Sequence, residues 1–135
     1  MAIIEVKRAA EKLLATITPS IPTAYEGVKF DPPVGLYQRV VFTPRQPVDP
    51  VFTAGYHREE IQLQIFVVDV IGEGTEAVTA RAELIRDTFK KGTYLVEGSI
   101  KVYVLSTPFI AGCAVASDRL VMPILINLTA EVVSS

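Results

Sequence analysis

The stretch that most constrains the fold runs from Glu60 to Gly92 and reads as a strand, a glycine turn and a helix. Ile61, Leu63, Ile65 and Val67 alternate with Glu60, Gln62 and Gln64 and then with Phe66, Val68 and Val70. One face is therefore apolar throughout, and the other passes from wet to covered along its length. Gly72-Glu73-Gly74 breaks the alternation, and Thr75 is placed to cap a helix. Val78, Ala82, Ile85 and Phe89 then form the apolar stripe of an amphipathic helix, with Arg81, Glu83, Arg86 and Asp87 largely off it. Lys90 and Lys91 suit the negative end of that helix, and Gly92 suits the position just past it. The rest of the chain reads as covering or extending this unit.

Residues 3 to 17 predict a first helix, with Ile3, Val6, Ala10, Leu13 and Ile17 on one face, Leu14 beside them, and Pro19 and Pro22 stopping it. Tyr25 to Phe30 is a short candidate edge strand, and Asp31-Pro32-Pro33-Val34-Gly35 a rigid turn. Leu36 to Thr43 is extended, with Leu36, Gln38, Val40 and Phe42 on one face and Tyr37, Arg39, Val41 and Thr43 on the other. Further strands are expected over Ser99 to Leu105, Phe109 to Ala116 and Leu120 to Val132, the last two joined by a Ser117-Asp118 hairpin turn. The last run is the strongest strand signal, because Leu120, Met122, Ile124, Ile126, Leu128, Ala130 and Val132 share one face. Pro123 lacks a ladder donor and is expected at an edge or a bulge.

The 135 residues fit a single domain over 1–135. Hydrophobic residues make up 50% of the chain and mean hydropathy is +0.37, a surplus that burial against other copies would account for. No apolar run approaches the roughly 20 residues of a membrane helix, and the N-terminus lacks the pattern of a secretory or transit peptide. One cysteine, Cys113, forms no internal disulfide, which makes a reducing cytosol the default compartment. A net charge of −2 gives no general attraction for nucleic acid.

No constellation proposes catalysis, a cofactor or a metal. Gly72-Glu73-Gly74-Thr75 sits where a phosphate loop would, but it lacks that loop's lysine and carries Glu73, which repels phosphate. His57 is the only histidine and reads as a solvated loop residue, since no second nitrogen ligand exists. Cys113 in Ala111-Gly112-Cys113-Ala114 reads as a small buried strand residue without an activating base. Asp31, Asp49 and Asp69 lack calcium-loop spacing.

Pro44 to Arg58 is longer than a usual connection and carries three prolines, Pro44, Pro47 and Pro50, yet Val48, Val51, Phe52 and Tyr56 are apolar. Two readings are open. The segment is either an assembly arm, with Arg45, Asp49 and Arg58 orienting contacts at its rim, or a hairpin extension folded over its own core. The candidate assembly interface is thus Arg45, Val48, Asp49, Val51, Phe52, Tyr56 and Arg58.

Several short pieces, taken in order, carry a resemblance. They are Val28-Lys29-Phe30-Asp31-Pro32-Pro33, Gly72 to Gly74 before the helix, Asp87-Thr88-Phe89 at its end, and Ser117-Asp118 before Val121-Met122-Pro123-Ile124. Over nearly the full chain the sequence resembles the tail-terminator (minor tail, tail-completion) proteins of long-tailed phages and prophages. The resemblance implies an α+β subunit with two helices packed on a mixed, mainly antiparallel β-sheet and a long protruding loop or hairpin. It also implies a homo-oligomer, a hexameric ring on the head-proximal end of the tail tube, with the tail tube protein on one side and a head-completion or neck protein on the other. Such a protein sits in the host cytoplasm during assembly and then in the virion tail. DNA would pass through the centre without specific binding, which the slightly acidic balance suits. A neck protein or tube subunit of the same virion, and a small α+β ligand-binding module, are the alternatives.

Overall fold

The computed structural model describes residues 3–49 and 55–133. Two helices and eight strands follow in the order α1 (Ile3–Ala15), β1 (Thr23–Ala24), β2 (Tyr37–Pro44), β3 (Tyr56–Val70), α2 (Glu76–Thr88), β4 (Tyr94–Glu97), β5 (Ile100–Val104), β6 (Phe109–Ile110), β7 (Ala114–Ala116) and β8 (Arg119–Val133). They form one sheet in the order β1-β2-β3-β8-β5-β4, with β6 and β7 also pairing with β8. Every pairing is antiparallel except β1 with β2. The class is α+β, as expected.

The spine of the sheet is the β3–β8 ladder, paired from Tyr56↔Val133 to Val70↔Arg119. Ile61, Leu63, Ile65 and Val67 of β3 face the core beside Met122, Ile124, Ile126, Leu128, Ala130 and Val132 of β8, all of them buried. Both helices cover this face: α1 packs over β4 and β5, and α2 over β3, β6 and β8. Val78, Ala82, Ile85 and Phe89 are fully buried, so the expected stripe of α2 is the one used. In α1 the buried set is Val6, Ala9, Ala10 and Leu14, with Leu13 half-buried and Ile3 exposed. The buried stripe is therefore turned by about one residue from the expected one.

Arg81 departs from expectation, because it is 3% exposed rather than solvated. Its Nε donates to Gln38 Oε1 at 3.2 Å, and its guanidinium also donates to the carbonyl of Pro19. Gln38 Nε2 passes the network on to Thr23 Oγ1 at 2.9 Å. Burial lowers the Arg81 pKa, and no carboxylate among the described residues lies within ion-pair distance. The side chain ties α2 to β2 and to the segment leaving α1. Thr75 stands at the N-terminus of α2 without capping it through its side chain, since its ψ of 4° is not the extended value that aims a hydroxyl at the first free amides.

Three strand expectations shift. The short N-terminal strand is Thr23–Ala24 rather than Tyr25 to Phe30, which turns away at Gly27. Strand β4 was not anticipated; it pairs with β5 across a Gly98-Ser99 turn in which Gly98 adopts φ 62°. The Phe109 to Ala116 run is two short strands, β6 and β7, with an extra residue between them: residues 111–113 lie opposite only Met122 and Pro123 of β8. The Pro123 carbonyl accepts from Ala111 N at 2.9 Å, so its ring nitrogen points to this same bulged side. The missing donor falls where regular pairing is interrupted, which satisfies the bulge expectation inside a central strand. Ser117 and Asp118 take φ 49° and 62°, the left-handed pair of a tight hairpin turn.

Candidate assembly interface

The segment from Pro44 to Arg58 is less of a loop than its prolines suggest. Pro44 closes β2 opposite Ile61, and Tyr56, His57 and Arg58 already belong to β3. Arg45 N donates to Glu60 O at 2.7 Å, so the nitrogen of Pro44 faces the free edge of β2, where no ladder bond is lost. Val48 and Arg58 then exchange two backbone hydrogen bonds of 2.9 Å. Gln46 and Pro47 stand opposite Glu59 alone, which places Pro47 in a bulge. The β2–β3 hairpin is thereby prolonged to Val48, and its β3 limb is also paired with β8 as far as Val133.

On this base the candidate residues separate. Arg45 and Asp49 are exposed, and Val48, Tyr56 and Arg58 are half-buried. Val51 and Phe52 lie outside the described residues, with Pro50, Thr53 and Ala54. Arg58 Nε is buried with no hydrogen-bond partner among the described residues. Such an unsatisfied donor carries a desolvation penalty unless another group reaches it. His57 lies in a strand and not in a loop, with Nε2 3.0 Å from Glu59 Oε1. Cys113 is half-buried, in the bulge beside Pro123. His57 pairs with Val132, about ten residues of β8 away from that bulge, so histidine and thiol are separated by roughly 33 Å and cannot act as a pair. At the start of α2, three glutamates, Glu73, Glu76 and Glu83, line the surface where a phosphate loop would hold its ligand, and their charge repels one.

The sheet also presents a face that neither helix covers. Its register sets Tyr37, Val68 and Val121 in one row, Arg39, Phe66 and Pro123 in the next, and Val41, Gln64, Leu125 and Phe109 in a third. Phe66, Val121 and Leu125 are only half-buried, and Phe109 is 62% exposed. Two concavities lie along this side. One, of ≈ 330 Å³, sits at the base of the hairpin between Arg45, Glu60, Leu105 and Asn127. The other, of ≈ 340 Å³, lies at the far end of β3 among Tyr37, Phe66, Val68 and Val121, with Arg39 and Arg119 at its rim. Sequence reasoning missed the second, because its walls come from β2, β3, β7 and β8 and only the pairing register brings them together.

No curated protein matches the chain significantly. Among solved structures, one chain superposes with a TM-score of 0.72 at 21% identity, covering 94% of this chain and 91% of that one. A chain from the virion of a native gene transfer agent particle superposes with a TM-score of 0.66 at 17% identity, covering 94% of this chain and 95% of that one. At these identities the likeness is one of fold. The sequence itself goes further: the model of a family described as phage tail terminator protein matches residues 5–128, from the first turn of α1 into the second half of β8, and the chain therefore belongs to the phage tail terminator family.

Proposed function

We propose that this phage tail structural protein closes into a ring, hexameric in the assembled tail, on the head-proximal end of the tail tube. There it ends tube polymerisation and offers the surface that a head-completion or neck protein joins, while DNA passes through the centre without specific binding. The observation that best supports this reading is the helix-free sheet face, where Phe66, Val121, Leu125 and Phe109 form an apolar strip that the subunit's own helices do not cover. Strips of this kind mark interaction surfaces. A subunit with one such face and, toward one end of the sheet, β2–β3 pairing prolonged to Val48 and Arg58 is suited to head-to-tail contacts, which close into a ring when the rotation allows.

Arg45, Val48, Asp49, Val51, Phe52, Tyr56 and Arg58 are the proposed contact arm. Arg58 Nε, which has no partner among the described residues, supports this role, since an acceptor from a neighbour would remove its desolvation cost. The chain works without catalysis or a metal. Replacing His57 and Cys113 together is expected to leave assembly intact, and a stoichiometric metal in the purified protein would contradict that part of the reading. The main test is a phage or prophage lacking the protein. Tails of irregular excess length, or tails that fail to join heads, are expected; normal lengths and normal joining would refute terminator function.

A further inference from the structure

The concavity at the far end of β3 combines apolar walls with a one-sided charge. Tyr37, Phe66, Val68 and Val121 form its floor, Arg39 and Arg119 stand at its rim, and no carboxylate among the described residues lines it. Arg119 is held in place: it donates to the carbonyls of Pro33 at 3.0 Å and Val34 at 3.3 Å, and its guanidinium lies 5.9 Å from the centre of the Tyr37 ring. Arg39 is exposed and makes no ion pair among the described residues. A complementary ligand presents an apolar side chain next to a carboxylate.

The chain carries such a segment in its own sequence. Val48-Asp49-Pro50-Val51-Phe52 is apolar around one acid, and Asp49 is the only acidic residue between Pro44 and Arg58. Asp49 is exposed and unpaired among the described residues. It cannot meet the rim arginines of its own subunit. The hairpin leaves the ladder at Arg58 and the concavity lies at Val68, ten residues along β3 and about 33 Å away.

We infer that the segment Val48-Asp49-Pro50-Val51-Phe52 of one copy docks into the Tyr37/Phe66/Val121 concavity of the next, with Asp49 facing Arg39 and Arg119. Asp49, next to the Val48–Arg58 pair, and the socket at Val68 lie at opposite ends of one sheet, so the contact is heterologous, the type that generates rings. The inference rests on the ring reading and specifies how neighbours join.

Charge exchange tests it. Arg39→Glu and Asp49→Arg are each made alone and then combined, and oligomerisation is followed by sedimentation velocity with thermal melting as a control of folding. Each single change is expected to weaken association about tenfold or more by setting like charges together, and the double variant to regain most of it. Single variants that assemble like the unaltered protein would overturn the docking while leaving the ring reading intact. Loss in Arg39→Glu with none in Asp49→Arg would assign the socket to a different segment of the neighbouring copy, which also overturns it. An unaltered protein that forms no ring, free or on tail tubes, would remove both readings together. A mixture of Arg39→Glu with a copy whose residues 48–53 are replaced by Gly and Ser gives a second check. Each has one working half, so a one-to-one pair and nothing larger is expected, and larger rings or no pairing would count against the inference.

Discussion

Glu26 joins three parts of the molecule, and replacing it with glutamine tests how the helix layer is fastened to the open edge of β2. The carboxylate accepts from Lys7 Nζ of α1 at 2.7 Å through one oxygen and from the backbone N of Phe42 at 3.0 Å through the other. The hydrogen bond from Lys7 is the main cause that lowers its pKa, followed by the one from Phe42 N. Both partners of the ion pair are about a third exposed, with side-chain values of 36% and 34%, so the pair itself stabilises by only about 0.5 kcal/mol. A hydrogen bond to a charged acceptor is worth about 1 kcal/mol more than one to a neutral acceptor, and glutamine keeps the shape but not the charge. Glu26→Gln should therefore cost roughly 1–1.5 kcal/mol at pH 7 and low salt, or a few degrees in melting temperature for a chain of this size. The folded pKa lies below the ordinary value of 4.5, so the unfolded chain binds the proton first as pH falls. The stabilisation is complete above that value and is lost as pH drops through the folded pKa. Urea melts of both proteins from pH 7 to pH 3 should show a gap that is constant at neutral pH, narrows below 4.5 and shrinks with added salt. A gap that survives unchanged at pH 3, or none at pH 7, would refute the reasoning.

Glu11 should behave in the opposite sense: burial raises its pKa, so its ionisation opposes folding above the ordinary value, and Glu11→Gln should stabilise at pH 7 with no difference near pH 3, read by the same melts. Phe89→Ala, at a fully buried position that ends α2, should cost about 3–5 kcal/mol in denaturant unfolding, and a loss below 1 kcal/mol would mean that the α2 stripe is not what holds the helix down. Deleting Gly112 removes the extra residue opposite Pro123 and should destabilise by roughly 1–3 kcal/mol, whereas Pro123→Ala should be close to neutral because no ladder bond is missing there; thermal melting separates the two. Replacing Val48 to Thr53 with Gly and Ser should leave the monomer's melting temperature within a few degrees and abolish ring formation or tube capping, and a large fall in monomer stability would show that the arm serves its own core.

What was legible in the sequence was whatever a single period encodes. The face shared by Met122, Ile124, Ile126, Leu128, Ala130 and Val132 and the α2 stripe from Val78 to Phe89 are buried as their spacing predicts, because each is a local repeat with one buried side. Arg81 was misplaced because its charge outweighed its geometry. It stands three residues after Val78 and four before Ile85, on the border of the stripe, and two oxygen acceptors make its burial possible. For Pro44 to Arg58 the sequence leaves an arm and a hairpin extension both open, and the pairing of Arg45 and Val48 with β3 is not legible in it for a different reason. Prolines usually stop a strand, and whether they do here depends on which edge their nitrogens face and on the bulge at Pro47, both of which are properties of the pairing. The same holds for the socket. Tyr37, Phe66 and Val121 each look like an ordinary strand residue, and only the register of three strands makes them one surface between two arginines.

The central claim is that the protein binds one end of a tube and stops its growth, and electron microscopy of the purified protein mixed with growing tail tubes tests it most directly. Rings at a single end of each tube are expected, with tube lengths fixed from the moment of addition, and both are expected to be lost when residues 48–53 are replaced. Protein distributed along the tube walls, rings at both ends, or tubes that keep elongating with the protein bound would contradict it.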